Sequence, residues 1–429
     1  MLTAMPTATP PPSSQAAPAA RERGDACPGA LRLHAADDGA LARVRLPGGV
    51  LTAGQARVLG AAAAQLGDGD LHLTSRGNVQ LRGLADGCGT ELAEALDAAG
   101  LLPSRSHERV RNIVASPLSG LDGVAPGDIR PWLTALDAAL CASEAAAELS
   151  GRFLFALDDG RGDMTGLGAD VILRTLPDGG AWLAPGAVRV TAGDAPRAAL
   201  AAAEAFLDAA RSHGTRAWRI RELGLPEAET ARLVRDRLTA EGIGHAAHPE
   251  PPGTSDGPAP GVVGDALSVH VPLGRISAAQ WAELTAVGAT ELRLTPWRGV
   301  VVPTADAAGA AGALARLGAA GLVTDPASPW LRVGACIGRP GCAKALADVR
   351  ADAARTLEHT REQPSRQPRG TLPLYWSGCE RRCGHPRGDH VDLVAAPGGG
   401  YRLSSGGDAR TVPTADPSAI RAALTAITP

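Results

Sequence analysis

Four of the seven cysteines in this 429-residue chain lie in two short pairs near its C-terminal end. Cys336 and Cys342 sit in ACIGRPGC, and Cys379 and Cys383 in SGCERRCGHP. Thiolates are soft ligands, and a [4Fe–4S] cube takes four of them. Each pair can present two sulfurs from one turn, and the gap lets two turns meet around one inorganic core. Gly338, Gly341, Gly378 and Gly384 let backbone come close to such a core. Zinc ordinarily takes closer pairs such as C-x2-C, and disulfides need an oxidising compartment, which nothing in the chain indicates. Chance clustering is the remaining alternative. Cys27, Cys88 and Cys141 are scattered, and Cys141, in an apolar helical run, reads as an inert buried thiol.

A second set of residues is basic. TSRGNVQ places Arg76, Asn78 and Gln80 at alternate positions, which share one face if the segment is extended. Arg111 and Asn112 precede a Pro/Gly turn, and Arg152 opens the strand-like run RFLFALDD. Arginines at three strand–loop junctions suit a polycarboxylate, because guanidinium binds carboxylate in a bidentate way. Any one of them alone reads as ordinary surface arginine. Just past the last cysteine, His385, Asp389 and His390 offer two imidazoles and a carboxylate. That donor set suits an oxygen-activating iron, or else forms a polar turn. His107, His245 and His248 read as ordinary loop or core histidines.

The elements that must position these residues repeat. VRLPGGVLTAGQARVL followed by LHLTSRGNVQLRG has a counterpart in VHVPLGRISAAQWAEL followed by LRLTPWRGVVVPT. Each copy runs strand, Pro/Gly turn, helix, strand and basic turn. Thr52 and Ser277 stand where a helix N-cap belongs, with Gln55 and Gln280 in matching places. The repeat predicts two related halves about a pseudo-twofold axis. Between the copies, helices are expected from Pro131, over PRAALAAAEAFLDAARSHG and over PEAETARLVRDRLTAEG, with strands at RFLFALDD and DVILRTL. A helix is expected to open at Cys342, where its electropositive end would favour a thiolate. TLPLYWSG is expected to be a strand delivering the second cysteine pair.

These elements divide into a disordered tail (1–25), a first half-domain (26–100), an α/β domain (101–245), a linker (246–264), a second half-domain (265–325) and a cluster domain (326–429). Net charge is −3, so there is no electrostatic case for nucleic acid. The tail lacks the apolar core of a signal peptide, and no run is long and apolar enough for a membrane span. The expected setting is the cytoplasm, where thiols stay reduced.

The T-x-R-x-N-x-Q string, the Arg–Asn pair and C-x5-C…C-x3-C, in that order, resemble the sulfite/nitrite reductase superfamily. The resemblance implies a mixed α/β (α+β) fold with two ferredoxin-like half-domain repeats and a siroheme–[4Fe–4S] unit. It implies that Cys336, Cys342, Cys379 and Cys383 bind the cluster. Arg76 and Arg111 would hold anionic groups, and Asn78, Gln80 and Asn112 would line a tetrapyrrole site. The reductases carry a basic K-x-K pair where this chain has Arg152 and Leu154, so half of a small-anion cage is missing. LARVRLPGG, LTSRGNVQLRGL, LRLTPWRGVV, GCAKALADVR and SGCERRCGHPR resemble most the tetrapyrrole-oxidising branch of that superfamily, which acts in aerobic cobalamin biosynthesis. There the tetrapyrrole is substrate, and precorrin-3A is hydroxylated with dioxygen and closed to a γ-lactone. The resemblance then implies that Arg76, Arg111, Arg152 and Arg298 meet its carboxylates. It also implies a mononuclear non-heme iron, and electrons from NADH or NADPH through a reductase or ferredoxin partner.

Overall fold

The computed structural model describes residues 25, 27–251, 253–287, 290–304, 307–362, 372–386 and 388–427. The expected tail therefore lies outside the described residues, apart from Asp25. Among the described residues four sheets organise the chain, and they come in two matching pairs.

The first pair is built by the repeat. One sheet runs His34–Ala36, Gly39–Val44, Val79–Leu84, Leu71–Leu73 and Arg275–Ile276. The other runs Gly261–Val263, Ala266–His270, Gly299–Pro303, Glu291–Leu294 and Val50–Thr52. Each copy hands its short strand after the Pro/Gly turn to the other copy's sheet. Arg275 pairs with His72, and Leu51 with Leu292. The helices Ala53–Leu66 and Ala278–Ala286 start at full capping boxes, Thr52 with Gln55 and Ser277 with Gln280. They pack together, and the Trp281 indole N–H donates to Ala56 O at 2.8 Å. Apolar side chains from both copies share one core, including Leu51, Leu59, Leu81, Val269, Leu292 and Val300. A shared core and exchanged strands make neither half a separate folding unit.

The second pair carries the loops that matter for chemistry. One sheet is ordered Ile113–Ala115, Phe155–Asp158, Val171–Thr175, Ala181–Ala184, Val188–Val190 and His245–Ala247. The other is ordered Val333–Ala335, Leu374–Ser377, Val391–Ala395, Tyr401–Ser405 and Asp408–Val412. In both, the first three strands are parallel and the rest antiparallel. The helices Arg130–Ala142, Ala195–Ser212 and Glu227–Ala240 cover the first sheet. Val349–Glu362 and Pro417–Ile427 cover the second. The 246–264 segment has a strand residue pair at one end and Gly261–Val263 at the other.

Two expectations about local structure fail. Cys342 does not open a helix; the helix begins at Val349, because the Asp348 carboxylate accepts the Ala351 N–H at 3.1 Å and caps it there. Nor do Arg76, Asn78 and Gln80 share an extended face. Thr74 N–H bonds Asn78 O at 2.9 Å across a tight turn, with Gly77 at φ 65°, so Arg76 is on the turn and only Gln80 is on the strand.

Candidate functional site

The parallel strands Val333–Ala335 and Leu374–Ser377 each end at a cysteine-bearing loop, so the fold brings the two pairs together. Cys336, Cys342 and Cys379 are partly exposed and Cys383 is exposed. Burial raises the Cys383 thiol above its ordinary range, and the neighbouring Cys336, Cys379 and Cys342 push it further the same way. Gly378 N–H donates to Cys336 Sγ at 3.2 Å, an amide-to-sulfur bond that suits a thiolate ligand. The glycines are close-contact positions: a Cβ at Gly378 would come within 2.6 Å of Ala345 Cβ. The Ser377 hydroxyl lies buried beneath this loop without a partner. Four adjacent thiols, an amide aimed at one and an unpartnered hydroxyl below are what a thiolate-held cluster needs. The residues present fit a [4Fe–4S] group.

The first half-domain clamps this loop from outside. Arg82 holds Asp38 in a bidentate pair and reaches Gly341 O at 2.9 Å, while Asp37 accepts the Ala343 N–H. Behind it, Arg350 Nε bonds Cys336 O at 3.3 Å and its Nη1 meets His72 Nδ1 at 3.2 Å. Burial, and then Arg298, Arg275 and Arg82, bring Arg350 down to about 10. Tyr375 donates its hydroxyl to Cys383 O at 2.5 Å. Burial raises that phenol well above its ordinary value, against the pull of Arg298.

Arg298 belongs to this cationic group. It stands in the turn equivalent to the one bearing Arg76, but one position later, where the first copy has Gly77. Its φ of 59° is left-handed, an uncommon conformation for a residue with a side chain. From the same turn, Trp297 packs on an apolar patch formed by Val114, Leu154, Ala156 and Met164. The turn thus touches both the cysteine side and the first α/β sheet.

A second cationic group gathers at that sheet. Arg152 is exposed and stacks over Trp218, 4.7 Å from the ring centroid. Arg76 Nη1 reaches Gly151 O at 3.5 Å, and Arg45 Nη2 reaches the same oxygen at 3.3 Å. Burial lowers Arg76 to about 10, helped by Arg219 and Arg43, and lowers Arg45 to about 9. Arg45 Nη1 is buried and unpartnered. Gln80, with its amide oxygen turned toward Arg43 Nε at 3.1 Å, orients that guanidinium. Arg219 is committed to Asp170 and Gly168 O.

Other named residues lie elsewhere. Arg111 is buried, clamped by both Asp137 carboxylate oxygens at 2.7 and 2.6 Å. Asn78 and Asn112 are buried and joined at 3.1 Å; the first accepts Leu46 N–H, and the second donates to Phe153 O. These three hold the half-domain to the sheet. Asp389 is exposed, and the carboxylate that meets His390 is Asp392, with 3.4 Å between Asp392 Oδ1 and His390 Nε2. Sequence reasoning passed over Arg43, Arg45, Trp218, Arg219, Arg350 and Asp392. The R-x-R of LARVRLPGG was the one signal on the page; the others become visible only when strands pair.

The fold and site define a class. Residues 34–99 match the family described as nitrite/sulfite reductase ferredoxin-like half domain. The structure of the NirA protein of Mycobacterium tuberculosis superposes with a TM-score of 0.69 at 19% identity, over 87% of this chain and 77% of that one. The chain has the sulfite/nitrite reductase-like fold and is an enzyme. Within that class it is similar to precorrin-3B synthase of Sinorhizobium sp, 29% identical over 94% of this chain and 88% of that one. It is also similar to the chloroplastic ferredoxin–nitrite reductase of Betula pendula, 28% identical over 80% of this chain and 65% of that one. No helix among the described residues is long and apolar enough to cross a membrane.

Proposed function

We propose that this chain is a precorrin-3B synthase. It hydroxylates precorrin-3A at the meso carbon between rings A and D and closes a ring acetate to a γ-lactone. One oxygen atom of dioxygen enters the product and the other leaves as water, with two electrons and two protons drawn from NADH or NADPH through a reductase or ferredoxin. The observation that carries the choice over a reductase is Leu154. It is 3% exposed, in an apolar patch with Val114, Ala156 and Met164, where a sulfite or nitrite pocket needs a cation. A buried apolar patch at that place, with Arg76, Arg152 and Arg298 on the surrounding turns, favours a large, carboxylate-fringed macrocycle over a small oxyanion.

On this reading Arg76 and Arg152 bind carboxylates, with Arg43 held ready by Gln80 and Arg298 serving the cysteine side. Arg111, Asn78 and Asn112 act as positioning residues. Cys336, Cys342, Cys379 and Cys383 hold the [4Fe–4S] cluster, which when bound supplies single-electron transfer. Oxygen activation falls to a non-heme iron, and the work is done in the cytoplasm. The test is an absorption and EPR spectrum of protein purified without air, followed by turnover. The expected result is an iron–sulfur envelope without siroheme bands and a product one oxygen heavier than precorrin-3A. The nitrite reductases among the relatives favour one alternative, a siroheme-dependent sulfite or nitrite reductase. Siroheme bands with nitrite- or sulfite-dependent oxidation of reductant would establish it instead.

A further inference from the structure

Arginines crowd the cysteine loops, and several of them are neutralised. Arg82 faces Asp38, Arg275 faces Asp70, and Arg382 faces Asp392. Arg298 and Arg350 differ. Both are partly exposed, and among the described residues neither has a carboxylate partner. Arg350 is held behind the loop by Cys336 O and the His72 ring. The Arg298 side chain passes Gly274, where a Cβ would come within 2.6 Å of its Cδ. It ends beside Tyr375: a Cβ on Gly334 would meet the Tyr375 ring at 2.9 Å and Arg298 Nη1 at 3.5 Å. Tyr375 is 2% exposed and donates its hydroxyl to Cys383 O. One buried ring therefore separates the Arg298 guanidinium from the backbone of a cysteine. After burial, Arg298 is the strongest influence on the ionisation of both Arg350 and Tyr375.

An electron accepted among four thiolates adds one negative charge there, and nearby charge shifts the potential at which it arrives. Cations without an acid beside them favour that charge, and partial burial leaves the attraction weakly screened. A carboxylate seated on Arg298 cancels its share. We propose that Arg298 couples the tetrapyrrole site to the cluster: a bound polycarboxylate lowers the cluster's reduction potential, and reduction loosens the polycarboxylate. Such coupling is reciprocal, so the two effects have one magnitude. For a unit charge about 10 Å away and an effective dielectric of about 20, it is roughly tenfold in affinity. Arg350, kept on Cys336 O and His72, stays a fixed cation in both states. The consequence is an order of events. The empty protein takes up an electron readily, and the arriving ligand makes that electron more reducing. The inference rests on the reading of a carboxylate-fringed tetrapyrrole beside a [4Fe–4S] cluster.

The experiment uses the whole cluster-loaded protein without air, and uroporphyrin III, a porphyrin octacarboxylate, as probe. Porphyrin fluorescence gives the affinity before and after one-electron reduction by dithionite. Potentiometry followed by EPR gives the potential with and without the probe. Affinity is expected to fall about tenfold on reduction, and saturating probe to lower the potential by about 59 mV, the one-electron equivalent. Arg298→Asn, whose side chain tolerates the left-handed backbone, should lower the potential of the probe-free protein in the same direction. It should also bring the two affinities within about twofold of each other. Arg298→Lys should restore the difference, and Arg76→Ala should weaken the probe equally in both states. Sulfide per chain should match the wild type throughout; should Arg298→Asn lose sulfide, Arg298→Gly replaces it with the same expectation. Equal wild-type affinities in the two states, or a difference that Arg298→Asn keeps in full, overturns the coupling and leaves the tetrapyrrole reading standing. A probe that binds neither state overturns that reading, and the coupling with it.

Discussion

The loops that leave the two α/β sheets have the same frame and opposite contents. After Ala115 comes Ser116, whose N–H bonds Leu157 O at 3.0 Å; after Ala335 comes Cys336, whose N–H bonds Trp376 O at 2.9 Å. Asp159 N–H donates to Ser116 Oγ at 3.1 Å, where Gly378 N–H donates to Cys336 Sγ at 3.2 Å. The next strand ends in Asp158 in one sheet and Ser377 in the other. Asp158 closes its own loop: Oδ1 accepts Gly160 and Gly162 N–H, and Oδ2 accepts Met164 N–H, all at 2.9 Å. Ser377 closes nothing, and its hydroxyl has no partner. The first loop satisfies its amides with a carboxylate, while the second presents free thiols that, on the proposed reading, an inorganic group would complete. One scaffold therefore yields a self-sufficient structural loop and a dependent one, through a few changes of residue type.

The sharpest break of the comparison is at the thiols. Cys383→Ser is expected to abolish the cluster, read as loss of visible absorption and acid-labile sulfide. The equivalent hydroxyl should not matter to iron at all. Ser116→Ala keeps full sulfide content and loses about 1–2 kcal/mol of stability through the orphaned Asp159 amide and Asp163 carboxyl. A Cys383→Ser protein that keeps its sulfide would end the assignment of the second loop.

The next break is at the carboxylate. Asp158→Ala strips three loop amides of their acceptor and removes the carboxylate that lies 3.6 Å from buried Arg174. Breaking a buried pair on one side destabilises by roughly 3–5 kcal/mol. Urea melts should show that loss, while sulfide per folded molecule stays unchanged. Sulfide falling in proportion would mean the two loops are coupled and not merely alike.

A smaller effect tests the arginines that separate the two sheets' uses. Arg76→Ala should weaken a polycarboxylate tetrapyrrole by about 1.5–3 kcal/mol, roughly 10- to 100-fold, the worth of a charged hydrogen bond. Arg111→Ala should weaken it mainly through stability, because its guanidinium is already spent on Asp137. Ligand titration of folded fractions separates the two, and equal direct losses would return Arg111 to the binding surface.

Much of this was readable before any strand was paired. The capping residues Thr52 and Ser277 and the two turns announced the repeat, since caps and turns are local chemistry. The cysteine spacing marked the two loops that the parallel strands Val333–Ala335 and Leu374–Ser377 set side by side. What stayed hidden was non-local. The exchange of Val50–Thr52 and Arg275–Ile276 between sheets depends on partners far along the chain. Arg111 looked free because Asp137 approaches from a helix that only the fold brings near. The kinship of the α/β sheets was invisible because Ser116 and Cys336, or Asp158 and Ser377, share a place but not a chemistry. Asp392 was missed for a related reason: Asp389 is nearer in sequence to the histidines, but the strand start turns Asp392 toward His390.

The finest test lies inside the self-sufficient loop, at Asp163. Burial raises its carboxyl to about 7, with Asp158 and Asp159 pushing the same way against the Ser116 hydrogen bond. The native state therefore holds a proton here that the unfolded chain, titrating near 3.8, has released. Between those values the folded state binds more protons, so this group makes stability fall as pH rises from about 4 to about 7, with no further loss above. Asp163→Asn keeps an oxygen to accept the Ser116 hydroxyl and removes the charge. Its melting temperature should exceed the wild type's by roughly 2 °C or more at pH 8, converge with it near pH 4, and show a flatter slope between. The dependent loop has no buried carboxyl in the matching place, so Cys383→Ser should leave that slope as it is. A variant that melts lower at pH 8 would show that the Asp163 charge is stabilised in the folded protein by a cation, and the first loop would then be no more self-sufficient than the second.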